Sequence, residues 1–242
     1  MPDPIKTALV AALEREVRPL LKRWKSSEQA YEGRRFRFFE SAGAVLVCGG
    51  IGAAAARRAT EAVISLYQPM IVMSIGFAGA LEPSFRVGDV FIPRRVFDTS
   101  DGSSLDTGEG NGVLVTLSSV ASLTQKSKLA AAYRAQAVDM EAAAVARGAQ
   151  ARGIAFTAVK AISDEADFEM PSMERFIEDG RFLTTKFVAW NAVRPWRWLK
   201  VIKVARNATR ASDALCEHLA QVLTPSSSER PDLAAAGSQK QS

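Results

Sequence analysis

Apolar residues fall into short runs divided by polar or glycine-bearing breaks, the pattern of a chain that alternates strands with helices. Ile5 to Leu13 reads as a β-strand, and Glu14-Arg15-Glu16 follows at once, opening a helical pattern with Val17, Leu20, Leu21 and Trp24 on one face. Arg34 to Glu40 alternates and Ala44 to Cys48 is apolar, with Ser41 to Gly43 turning between them, which predicts a β-pair. Gly49-Gly50-Ile51-Gly52 then introduces a helix over Ala53 to Leu66. Met70 to Ser74 reads as a strand that runs into a glycine-bearing loop, Gly76 to Leu81, and Val87 to Ile92 as a further strand. Phe97 to Asn111 is polar and glycine-rich, the pattern of a loop or lid; Gly112 to Leu117 is strand-like and Lys128 to Ala137 fits a short helix.

The stretch from Ala137 to Asp167 sets two acidic points into an otherwise apolar run. Glu141 opens an alanine-rich segment of high helix propensity, and Phe156 to Ile162 is a β-compatible run, with Phe156 in the core, that stops at Ser163-Asp164. A helix N-terminus and a strand C-terminus are therefore both marked by carboxylates, and in open α/β sheets the carboxyl ends of strands border the ligand crevice. Beyond Asp167 a helical pattern carries Met173, Phe176, Ile177, Leu183, Phe187 and Val188 until Pro195 breaks it. The final helix, from about Trp198 to Val222, has Val201, Val204, Ala208, Ala211, Leu215, Leu219 and Val222 in one apolar stripe.

Composition narrows the chemistry. With 242 residues, 48% hydrophobic and 24% charged, the chain has the make-up of a soluble globular protein, and one domain is expected. Cys48 and Cys216 form neither a disulfide framework nor a metal-ligand spacing, which fits a reducing cytoplasm. His218 is the only histidine and sits in the final helix, so Ser/His/Asp chemistry and histidine metal sites are disfavoured and acid/base work falls to Asp and Glu. No apolar run approaches the ~20 residues of a membrane span, and the N-terminus lacks the form of a signal peptide. Glu14 and Glu16 follow a strand and can face a crevice, or simply complement a helix N-terminus. GIGAAA from Gly50 satisfies a dinucleotide fingerprint, weakly, because the next strand does not end in an acid.

The net charge of +5 is a modest excess, but between Trp190 and Arg210 there are six basic residues and no acidic one, interleaved with Trp190, Trp196 and Trp198. An anionic membrane surface favours that pattern and nucleic acid is attracted to it; a solvated helix face with its tryptophans in the core is the plainer reading.

VDMEAAAVA followed by AISDEAD, with ALEREV behind the first strand, GGIG behind the third, and GFAGAL then VGD between, resembles the nucleoside phosphorylase superfamily, and within it the 5'-methylthioadenosine/S-adenosylhomocysteine nucleosidases. The likeness covers roughly residues 5 to 190. It implies an α/β fold with a central mixed twisted sheet surrounded by helices, in a catalytic domain spanning residues 1–223, of which 190–223 form the basic, tryptophan-containing helical region. Residues 224–242 read as a disordered tail. It further implies cleavage of the N-glycosidic bond of a purine nucleoside, with adenine the expected base, in a homodimer or larger homo-oligomer. No metal or organic cofactor is implied, phosphate being an alternative co-substrate to water.

By the resemblance, Asp164 donates a hydrogen bond or proton to purine N7, which requires burial to raise its pKa; Glu141 stays ionised and holds the ribose hydroxyls; Glu16 activates the attacking water. Ser163 orients Asp164 and Met140 packs on the sugar. Gly52, Gly76, Ala78 and Val120 complete the expected binding surface, Val120 near the place of an aromatic base-stacking residue. The chain departs from the family where Phe77 replaces a serine near the nucleophile, where Lys160 replaces an arginine in a buried strand, and where the segment from Asp98 to Val138 is short. Lys160 needs a partner, with Glu141, Glu16 or an anionic substrate group as candidates. Together with the basic C-terminal region these departures resemble the hopanoid-associated phosphorylases, which remove adenine from a lipid-linked nucleoside. Expected partners are therefore a small purine nucleoside and a peripheral anionic membrane contact at the inner surface of a cytoplasmic protein, with no nucleic acid. A nucleoside-binding module without chemistry, or an oxidoreductase using the GIGAAA turn, are the alternatives from other classes.

Overall fold

Strands with apolar residues at consecutive positions bury both faces, and here the two faces receive two helix layers. The computed structural model describes residues 5–223 except 172, 179, 193, 195 and 197; the tail expected over 224–242 and the break expected at Pro195 lie outside the described residues. The elements run β1 (Thr7–Ala11), α1 (Glu14–Leu21), β2 (Lys25–Tyr31), β3 (Arg34–Ser41), β4 (Ala44–Cys48), α2 (Ala53–Tyr67), β5 (Ile71–Ala80), β6 (Val90–Phe91), β7 (Arg95–Asp98), β8 (Ser104–Asp106) and β9 (Val113–Thr116). They continue with α3 (Leu123–Tyr133), β10 (Ala137–Asp139), α4 (Ala142–Gln150), β11 (Ala155–Asp164), β12 (Ile177–Glu178), β13 (Arg181–Phe182), α5 (Thr184–Ala192) and α6 (Trp198–Leu223).

The main sheet is mixed, in the order β2-β3-β4-β1-β5-β10-β9-β7-β8, with β11 paired to β5 and β6. The long β5 is its axis: it runs parallel to β1 and β11 and antiparallel to β10. Val10, Val47, Val72, Ala158 and Ile162 face one core with α2 and α4, while Leu9, Leu46, Ile75, Val159 and Ala161 face another that α1 and α6 close with Val17, Leu215 and Leu219. This is the expected α/β architecture.

Several expectations change in detail. The stretch Gly76 to Ala80 is strand rather than loop, because β10 and β11 supply backbone partners on both sides. Its glycines mark close approaches of carboxylates, not a turn. The Phe97 to Asn111 segment contains strands β7 and β8 rather than a structureless lid. Asp98 Oδ1 accepts from the Ser100 amide and hydroxyl at 2.8 and 2.6 Å, satisfying the turn, and an ion pair to Arg147 pins the hairpin to α4. Helix α3 begins earlier than expected because Ser122 and Gln125 form a capping box. The strand expected from Val87 shortens to Val90–Phe91, and the helical pattern after Asp167 resolves into a 3-10 turn, the β12–β13 hairpin and α5. Strand β2 has no apolar alternation; it is a polar edge strand held by its pairing with β3.

Candidate active site

Helix α1 starts one residue after the end-of-strand turn, so Glu14 points to solvent and pairs with Arg37 at 3.4 Å, while Glu16 lies two residues on, on the buried side. Glu16 reaches the backbone of β5: a Cβ placed on Gly76 would come 2.7 Å from its Oε2, and that oxygen is buried with no hydrogen-bond partner among the described residues.

Glu141 stands at the N-cap of α4 but its side chain does not cap it. That work falls to Asp139, whose Oδ2 accepts the Ala142 amide at 2.8 Å, and to Thr116, whose hydroxyl accepts the Ala143 amide at 3.0 Å. Glu141 is thereby released toward the Gly52 amide, which donates to its Oε1 at 2.7 Å. The glycine turn before α2, with Gly50 at φ 105 and Gly52 at φ 91, thus presents an N–H to a carboxylate.

At the end of β11 the register with β5 shifts, so that Ile162 opposes Ala78 while Asp164, two residues on, opposes the very next residue, Gly79. The shift turns the Asp164 carboxyl over Gly79, where a Cβ would meet its Oδ2 at 2.9 Å. Ser163 donates its hydroxyl to Asp164 Oδ1 at 2.7 Å, as an orienting residue would.

Glu16, Glu141 and Asp164 line one cavity of about 350 Å³, together with Met140, Ser163, Phe77, Ala78 and Val120. Gly52 and Gly76 do not line it; they sit behind the carboxylates that do. Away from the acids the cavity wall is apolar, drawn from Met173, Phe182, Phe187 and Val188 and from the α6 residues Val201 and Val204.

Lys160 does not reach the cavity. Its Nζ lies 2.9 Å from Asp139 Oδ2 and donates to Ser74 Oγ at 3.0 Å, and the side chain is 1% exposed. The strand's alternation sends it beneath the site, so its partner is Asp139 rather than Glu16, Glu141 or a substrate group. Lys126 is the lysine the sequence did not single out: it lines the cavity from α3, with Nζ 2.5 Å from Asp164 Oδ2. No local pattern marked it, since its partner is 38 residues away and only the fold joins them.

The electrostatics redistribute charge among the carboxyls. Burial pushes Glu16 up to about 8, and the neighbouring Glu141 charge adds to the rise. Burial, then the charge of Asp139, pushes Glu141 up to about 7, against the pull of Lys160 and the Gly52 amide. Asp164 carries an ammonium group and a hydroxyl donor on its two oxygens, whereas burial holds Glu16 and Glu141 toward the protonated form.

The tryptophans of the C-terminal region are not core residues: Trp196 is 74% exposed, Trp198 and Trp190 are exposed as well, and Leu199 beside them is 83% exposed. None of the described helices is long and apolar enough to cross a membrane.

Comparison with known proteins agrees with this fold. A 5'-methylthioadenosine/S-adenosylhomocysteine nucleosidase of Marinomonas sp. is 29% identical over 210 residues, 70% of this chain and 90% of that protein. The protein of the same name from Staphylococcus aureus (strain bovine RF122 / ET3-1) is 29% identical over 169 residues, 55% of this chain and 74% of its own length. Among solved structures, the Neisseria meningitidis nucleosidase in complex with methylthio-immucillin-A superposes with a TM-score of 0.67 at 21% identity, covering 90% of this chain and 98% of that one. The futalosine hydrolase of Helicobacter pylori superposes with a TM-score of 0.63 at 19% identity, covering 89% and 97%. The family model described as Phosphorylase superfamily matches residues 6–115 and 110–186, and the chain belongs to that superfamily.

Proposed function

We propose that this protein cleaves the N-glycosidic bond of an adenine nucleoside, with water as the nucleophile and no metal or organic cofactor. The observation that carries the reading is the convergence of Glu16, Glu141 and Asp164 on one largely apolar cavity. In it, Asp164 meets the departing base, Glu141 accepts from the ribose hydroxyls with Met140 against the sugar, and Glu16 takes the proton of the attacking water. Carboxylate charge beside the sugar stabilises the oxocarbenium-like transition state, and an apolar wall keeps that interaction strong. The nucleosidases among the relatives support hydrolysis and adenine as the base.

The test is chromatography of the products formed from adenosine, methylthioadenosine, S-adenosylhomocysteine, inosine and a lipid-linked adenosine, each with and without phosphate. Adenine release that is independent of phosphate is expected, with Asp164→Asn and Glu141→Gln slower by ~100-fold or more while the fold survives. A phosphate requirement would make the enzyme a phosphorylase, and near-wild-type release by either variant would remove that residue from the mechanism.

For the 5' substituent, the reading favours an apolar, lipid-linked group of the kind handled by hopanoid-associated phosphorylases, delivered at an anionic bilayer. Its support is on α6, where Val201 and Val204 line the cavity while Trp198, Leu199 and Ile202, on the same two turns, are exposed. Val188 is both cavity-lining and 56% exposed, so it marks the rim beside this patch. Lys200, Lys203 and Arg206 flank the patch with positive charge, the arrangement of an interfacial amphipathic helix. Sedimentation with liposomes containing phosphatidylglycerol is expected to fall when Lys200, Lys203 and Arg206 are neutralised. Unchanged partitioning counts against the membrane, and self-association through the patch would make a second copy its occupant.

A further inference from the structure

A purine leaves as a neutral base only if it gains a proton as its bond to the sugar breaks. Asp164 faces the cavity where that proton is needed, but both of its oxygens are already acceptors, Oδ2 from Lys126 at 2.5 Å and Oδ1 from the Ser163 hydroxyl at 2.7 Å. The donors around this carboxyl are therefore the first places to look for the proton that the base needs. The ammonium of Lys126 is the cation bound directly to it, and it is 3% exposed, too deep for bulk water to stand in for it. Its other donors go to the carbonyls of Glu165 at 2.8 Å and Phe168 at 3.4 Å, so it also fastens the segment that follows Asp164. A purely structural fastener would not need a place in the cavity wall, and Lys126 has one.

We propose that Lys126 supplies, through Asp164, the proton that the leaving base requires. The inference rests on the nucleosidase reading above. As the bond between the sugar's anomeric carbon and the base nitrogen breaks, its electron pair passes into the purine ring. The proton shared by Lys126 Nζ and Asp164 Oδ2 moves to the carboxyl, and Asp164 delivers a proton to N7. Lys126 is left as a neutral amine and Asp164 as a carboxylate, and the amine is reprotonated from water once the base has left. The proton lost by the attacking water goes separately to Glu16, so each transfer has its own donor and acceptor. Lys126 is in this sense a positioning residue that acts through Asp164, and its other contacts hold the segment that follows Asp164.

The test compares Lys126→Met and Lys126→Arg with the wild type on two substrates, the adenine nucleoside cleaved fastest and its N7-methylated form, which leaves as a neutral base without a proton. Folding of each variant is checked by its melting transition. Both variants are expected to lose roughly 100-fold or more in kcat on the parent nucleoside, the usual worth of a general acid, while cleavage of the methylated form changes by less than about threefold. Arginine keeps the charge and the hydrogen bond but does not surrender its proton, so its failure to rescue separates proton supply from charge alone. Recovery of parent cleavage by Lys126→Arg overturns the proposal, as does equal loss on both substrates, which would make Lys126 a fastener only. If Lys126→Met does not fold, Lys126→Arg carries the comparison. Failure of the wild type to release any base would overturn the nucleosidase reading itself, a result distinct from either of these.

Discussion

The carboxylate of Glu16 lies directly over the backbone of Gly76, in a space that no side chain larger than hydrogen fits: a Cβ there would stand 2.7 Å from Glu16 Oε2. Gly76 also has φ 138, a backbone that L side chains rarely adopt. Gly76→Ala is therefore expected to push Glu16 out of position and to lower kcat by ~10–100-fold, a 1 Å displacement being enough for such a loss. Turnover measured beside the far-ultraviolet dichroism of the folded variant checks this; unchanged turnover would mean that Glu16 need not hold its place.

The pH profile follows from Glu16 at about 8 and Glu141 at about 7. Both must be ionised in the proposed mechanism, one to take a proton and one to face the developing positive charge. Hence kcat/KM of the free enzyme is expected to rise across pH 7 to 8 and to level off above. A profile flat from pH 5 to 9 is the contrary result.

The same displacement links stability to pH. A carboxyl at about 8 in the folded state, against ~4.3 when unfolded, binds a proton that the unfolded chain has released, so folding loses support as pH rises through that window. Glu16→Gln removes the effect. Its melting temperature relative to the wild type is expected to be little changed at pH 4 and higher by roughly 5–10 °C at pH 9. Equal differences at the two pH values would show that the buried charge of Glu16 carries no cost.

Lys160 and Asp139 form a buried ion pair whose halves are unequal in their other bonds. Asp139 also accepts from Thr116 Oγ1 at 2.6 Å and from the Ala142 amide, while Lys160 donates besides to Ser74 among the described residues. Lys160→Met strands a buried carboxylate and is expected to cost about 3–5 kcal/mol, and adding Asp139→Asn should restore part of that. Urea unfolding of the single and double variants measures the coupling. Additive losses would show that the pair is not coupled.

What could be read from the sequence divides along physical lines. The α4 start was visible because Glu141 precedes an alanine run, and the β3–β4 pair because alternation and a glycine turn are local signals. Strand β2 was not visible, since KSSEQAY owes its conformation to the partner strand rather than to its own residues. Gly76 and Gly79 were read as loop because the carboxylates that need the space arrive from α1 and from the end of β11. The carboxyls that meet in the cavity stood out by their place at element ends, whereas Lys126, Asp139 and Lys160, which bear on their charge, arrive from elsewhere in the chain.

The register shift between Ile162 and Asp164 makes the position of the acid a matter of counting. Side chains alternate across a sheet, so without the shift Asp164 would oppose Ala80, share the parity of Ile162 and Ala158, which face α2 and α4, and turn away from the layer that α6 closes. A homologous chain that kept these residues but paired them in regular register would keep the letters of the motif and lose its address. The register of β11 on β5 is thus as much a part of the site as the residues themselves.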